Sequence, residues 1–199
     1  MPSECRAELA RRDIRFHNAE ASLGVLVPIR LDGPVSGVTY RTDYSDRERA
    51  KLPYDVFDCR LVVALSDLSA ILRTHDIDEV RLFSAWRPPS RSSAGAAPDE
   101  KETGHPGGLA ADLRLFKKSS GEALEVEKDF HGQIGATPCG PGAAPPSPST
   151  PASVELRAIL CAVADARIFH VLLSPDFNAP HRNHFHVEVR PGVRWLIVR

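Results

Sequence analysis

The chain has almost no surplus of charge. Its 25 lysines and arginines face 26 aspartates and glutamates, for a formal net charge of -1 with His neutral. Proteins that coat nucleic acid or anionic lipid need a basic surplus, so neither is the expected partner. No apolar run approaches the length of a membrane span, so no integral membrane segment is expected. No charged-then-apolar leader follows Met1, which leaves a cytoplasmic chain or a mature form whose leader is gone. CxxC pairs are missing, and with them the usual thiolate zinc knuckle. There is no internal repeat.

What is present is the profile of an ordinary globular protein, 42% hydrophobic and 26% charged. At 199 residues the expectation is one domain, with 1–50 an N-terminal segment packed on it and 140–152 an exposed Pro-rich loop. Cys5, Cys59, Cys139 and Cys161 are even in number and widely spaced. That suits two disulfides and an oxidising compartment, the alternative being small buried thiols. Local pairing, the simplest closure, joins Cys139 to Cys161 and Cys5 to Cys59.

The patterning mixes helices and strands. Glu4 to Arg12 reads as a short helix, and Gly24 to Arg30 and Gly37 to Arg41 as strands separated by the turn Asp32-Gly33-Pro34. Leu61, Leu65, Leu68 and Leu72 share one face of a helix from Arg60 to Thr74, with Asp58 placed to cap it. Val80 to Phe83 follows as a strand. Arg87 to Gly104 is polar and loop-like. Leu109 to Phe116 returns to strand character and folds back through Ser119-Ser120-Gly121 onto Leu124 to Val126. A second helix runs from Pro151 to about Ala166, with Thr150 as N-cap. Phe169 to Leu173, His184 to Arg190 and Arg194 to Val198 read as final strands. The expected fold class is α+β with a mostly antiparallel sheet and packed helices.

Two segments carry chemistry. His105 and Asp112 are seven apart, which on a straight strand puts them on opposite faces. Pro106-Gly107-Gly108 can turn the chain between them, and Ala110 and Ala111 leave room beside the carboxylate. His184 and His186 are two apart on a strand, so both imidazoles share a face while Phe185, Val187 and Val189 point to the core. His181 lies just upstream, able to lean over the same point. Alone, each of these residues reads as a loop, capping or surface position. Together, two His and one Asp make a first shell for a tetrahedral zinc with one open position for water.

These residues resemble a known group. His-x-x-Gly-x-Ala-x-Asp, met by His105, Gly108, Ala110 and Asp112, with a downstream His-x-His, resembles the LAS metallopeptidases. That group takes in lysostaphin-type enzymes, D-Ala-D-Ala metallopeptidases and the zinc fold of Hedgehog domains. From about Cys59 onward the chain is most similar to bacterial extensin-like C-terminal domain proteins. The likeness rests on Phe57-Asp58-Cys59-Arg60-Leu61, Phe83-Ser84-Ala85-Trp86-Arg87-Pro88, the His105 to Asp112 segment, His184-Phe185-His186 and Pro191-Gly192-Val193-Arg194-Trp195. The resemblance implies a Hedgehog and D-Ala-D-Ala peptidase-like zinc fold. It implies one zinc on His105, Asp112 and His186, with His184 as base. His181 matches a further His of murein endopeptidases, and Arg87 an arginine that binds substrate or the developing oxyanion. Dipeptidase-type relatives carry a Glu where Asn183 stands, and Thr103 replaces a frequent Ser. The function implied is a zinc peptidase acting on peptidoglycan peptides in the periplasm or outside the cell. The alternatives are a zinc-binding cell-wall module without catalysis and a metal-free polar patch.

Overall fold

The structure, a computed structural model, describes residues 2–20, 22, 24–88 and 103–199. Most of the polar segment expected between Arg87 and Gly104 therefore lies outside the described residues. Helix α1 (Pro2–Arg11) is followed by strands β1 (Phe16–Asn18), β2 (Pro28–Leu31) and β3 (Thr39–Thr42), then the single turn α2 (Asp46–Arg49) and strand β4 (Phe57–Asp58). Helix α3 (Cys59–Arg73), strands β5 (Ile77–Leu82), β6 (Ala110–Lys118) and β7 (Ala123–Glu125), and the short helix α4 (Val126–Asp129) come next. Helix α5 (Pro151–Ala166) and strands β8 (Val171–Leu173), β9 (Phe185–Glu188) and β10 (Ile197–Val198) complete the chain.

The two long helices form where local signals place them. Asp58 accepts from the Arg60 N–H at 3.0 Å, which caps α3. Thr150 and Ser153 satisfy each other's N–H groups at 3.1 and 2.8 Å, a reciprocal cap on α5. The α3 leucines and Leu156, Ile159, Leu160 and Val163 of α5 enter one buried apolar cluster with the sheet. Truncating one such leucine costs about 2–5 kcal/mol. Disulfides Cys5–Cys59 and Cys139–Cys161 tie α1 to α3 and the Pro-rich segment to α5, the pairing expected from local closure. That segment is largely exposed.

Among the described residues seven strands form one sheet, in the order β10-β8-β9-β6-β5-β3 with β7 added on β6. Its centre is antiparallel, but β3 runs parallel to β5 and β10 parallel to β8, so the sheet is mixed. The parallel edges have a cause. The chain between β3 and β5 crosses over through α3, and a crossover returns a strand in the same direction. A small antiparallel sheet, β1-β2-β4, stands beside it. The early strands start later than expected. Val25 N–H turns back to the Ser22 carbonyl, and Val27 N–H goes to the Asp58 carboxylate, so pairing begins only at Pro28. Val35 and Val38 close a tight turn that delays β3 to Thr39.

The sheet has two distinct faces. Ala111 and Leu113 of β6, and Phe185 and Val187 of β9, join the core. Alternation then sends Asp112, His186 and Glu188 to the opposite face. The register sets Asp112 directly across from His186 and Ala110 across from Glu188. Helices and core sit behind the sheet, and the polar cluster sits in front of it.

Candidate metal centre

His105 reaches the cluster on a compact turn. Gly107 N–H bonds the Thr103 carbonyl, Gly108 N–H that of His105, and Leu109 N–H that of Gly104. Gly108 has φ +64, and a Cβ there would lie 2.8 Å from the Asp58 backbone nitrogen. Only glycine lets the turn dock against β4, where Asp58 N–H donates to the Gly108 carbonyl at 2.9 Å. The indole N–H of Trp86 clamps the turn from outside through the Pro106 carbonyl at 3.1 Å.

Three imidazoles converge on one carboxylate oxygen. Asp112 Oδ1 lies 3.1 Å from His105 Nε2, 3.2 Å from His184 Nε2 and 2.9 Å from His186 Nδ1. One carboxylate oxygen has about two lone-pair positions, so three nitrogens exceed what hydrogen bonding alone can use. A cation bound among them would resolve the excess. The ligand atoms of His105, Asp112 and His186 lie within 4.8 Å of one another, and so do those of His181, His184 and His186. Either set could hold a metal ion.

The remaining ring nitrogens have partners that set the tautomers. His105 Nδ1–H donates to the Ala85 carbonyl at 2.6 Å, which leaves Nε2 as the nitrogen that faces inward and that a metal would take. His186 Nε2 faces Glu188 Oε2 at 3.6 Å, which leaves Nδ1 inward. Glu188 is itself held by Gly104 N–H at 3.1 Å and Arg190 Nε at 2.7 Å. His184 Nδ1–H donates to Asn183 Oδ1 at 2.8 Å, and His181 Nδ1–H to Asn178 Oδ1 at 2.6 Å. Four imidazoles thus present one nitrogen each to the cluster.

Electrostatics follows from burial and these contacts. The Asp112 side chain is 2% exposed. Burial opposes its ionisation, but hydrogen bonds from His105, His184 and His186 hold its carboxyl far below the usual carboxylate range. Burial also opposes protonation of His186, yet Asp112 and Glu188 push it up to about 8. Burial and the charges of His184 and His186 push His181 down to about 4. Burial opposes ionisation of Glu188 too, and His186 and Arg190 lower it nonetheless.

All six residues singled out from the sequence lie here. Arg87, 49% exposed, sets Nη2 3.0 Å from Asp112 Oδ2 at the open side. His184 stands one residue before β9 rather than on it, and still faces Asp112. The half-exposed rings of Phe83 and Phe177 flank His184 and His181, with centroids 5.7 and 5.4 Å away. Sequence reasoning missed Glu188, although it continues the alternation His184, His186, Glu188 along one face. It also missed Asn178 and the Ala85 carbonyl, which no pattern marks. Comparison of the chain with protein-family models, with curated proteins and with solved structures finds no match.

Proposed function

We propose that the chain is a zinc-dependent, peptidase-like hydrolase that cleaves amide bonds in cell-wall (peptidoglycan) peptides. The observation that carries the reading is the convergence of His105 Nε2 and His186 Nδ1 on Asp112, with a further imidazole, His184, beside them. Two nitrogens and one carboxylate leave an open position, the donor set of catalytic zinc. Bound zinc would polarise a carbonyl and acidify water. The peptide and cell-wall assignment comes from the resemblance to LAS metallopeptidases and extensin-like domains. Two disulfides and a lack, among the described residues, of any helix able to cross a membrane are compatible with a periplasmic or secreted protein.

The chain's own residues divide the remaining work. Asn183 holds the Nδ1–H of His184, so Nε2 is free to take a proton from water and pass it to the leaving amine. His181 is kept neutral by burial and its N–H is committed to Asn178, so it has no donor for an oxyanion. That role falls to Arg87, whose guanidinium stands at the open side. Phe83 and Phe177 form an apolar rim for the peptide.

The test is zinc-loaded protein incubated with muropeptides. His184→Ala should keep its zinc and lose turnover by about 100-fold or more. Cleavage that persists in that variant would sink the mechanism. One observation favours a second reading: Asn183 stands where dipeptidase-type relatives carry a Glu. Bound zinc with no turnover on any wall peptide would select a cell-wall-binding domain without catalysis.

A further inference from the structure

We propose that the centre has two alternative seats for a single divalent ion, and that the second seat switches the first off. The first seat is His105, Asp112 and His186. The second is the all-imidazole set His181, His184 and His186, whose ligand atoms also lie within 4.8 Å of one another. The inference rests on the zinc reading for the first seat only.

The second seat is built rather than accidental. Asn178 Oδ1 and Asn183 Oδ1 take the Nδ1–H groups of His181 and His184, which leaves a lone pair on each Nε2. The ring centroids lie 5.2 Å apart for His181 and His184, and 5.7 Å for His181 and His186. The two seats exclude each other. A neutral imidazole has one lone pair, and Glu188 on the Nε2 side of His186 leaves only Nδ1 for an ion. With the ion in the second seat, Asp112 keeps the Arg87 guanidinium at 3.0 Å, so its charge is still compensated.

The seats differ in chemistry. The first cancels one charge of the ion with a hard oxygen and suits zinc. The second offers borderline nitrogens alone, the donors for which copper(II) gains most over zinc. Copper in that seat consumes the lone pair of His184, the proposed base. The second seat is therefore a copper(II) site that holds the enzyme in an inactive form.

The test uses the full chain loaded separately with copper(II) and zinc. The copper electron paramagnetic resonance spectrum should show three nitrogen ligands, matching the three imidazoles of the set. His181→Gln should lower that number and weaken copper binding at least about tenfold, and His105→Gln should do neither. Zinc affinity should show the reverse, falling at least about tenfold in His105→Gln and Asp112→Asn and staying near wild type in His181→Gln. His186→Gln should weaken both metals. If His105→Gln weakens both metals and His181→Gln weakens neither, the second seat is overturned while the zinc reading stands. If the wild type binds neither metal, both readings fall.

Discussion

The four imidazoles of the centre are held in two different ways. His105 and His186 lean on partners distant in the chain. One is the Ala85 carbonyl just beyond β5, the other is Glu188, itself fixed by the Gly104 N–H from the His105 turn. His181 and His184 lean on amide side chains within three residues of themselves, Asn178 and Asn183. The first pair is therefore placed by tertiary structure, above all by the β6–β9 register that sets Asp112 across from His186. The second pair belongs to a local motif that orients its own rings. Damage to the fold should cost the metal, whereas damage to the local motif should cost proton transfer and leave the metal in place.

The largest effect should come from Asp112→Ala. It removes the carboxylate shared by three imidazoles and Arg87 at a position 2% exposed. Leaving the buried imidazoles and Arg87 without their shared carboxylate should cost about 3–5 kcal/mol in denaturant unfolding of the metal-free protein. Zinc should be absent by elemental analysis. A variant of undiminished stability would mean that the cluster is not organised around Asp112.

Glu188→Gln tests the tertiary support more gently. Glutamine can still accept from Gly104 N–H, but the charge behind His186 is gone. Zinc affinity should fall about 10–100-fold, or about 1.4–2.7 kcal/mol, in competition with a chromogenic chelator. An unchanged affinity would remove the distinction between distant and local support.

His186 and His181, one residue from each pair, shift in opposite directions on folding. His186 rises on folding from 6.5 to about 8, so its contribution is complete below pH 6.5 and is lost as pH rises through 8. That limb is worth about 2 kcal/mol. His181 falls to about 4, so its contribution is present above pH 6.5 and is lost as pH falls toward 4. Zinc must displace the His186 proton. Thermal melts should therefore show the metal-free protein losing stability between pH 6.5 and 8, while the increment on adding zinc grows over the same window. A flat increment would show that His186 gives up no proton to the metal.

The same contrast explains what could be read from the sequence. Helices α3 and α5 were legible because caps at Asp58 and Thr150 and apolar spacing are local signals. His105, Asp112 and the His184–His186 pair were legible for a similar reason, since a glycine turn and strand alternation show in a few residues. The edges of the sheet were not. Whether β3 or β10 pairs parallel depends on where α3 and β9 carry the chain, which no short window contains. The supports divide in the same way. Glu188 was visible as the next residue on the His face, but the carbonyl of Ala85 is a backbone group that any residue there would supply.

The smallest effect, and the sharpest for the comparison, should come from Asn183→Ala. The change removes the acceptor that fixes the Nδ1–H of His184 and touches none of the proposed zinc ligands. Zinc content should stay full and KM unchanged, and kcat should fall about tenfold, which is about 1.4 kcal/mol of lost orientation. Asn183→Asp restores an acceptor at the same place and adds a charge that makes His184 a stronger base. Its kcat should return at least to the wild-type value. Loss of zinc in Asn183→Ala would show that the local motif and the metal ligands form one unit. Full zinc with lowered kcat, rescued by Asp, would show that binding and proton transfer rest on separate supports.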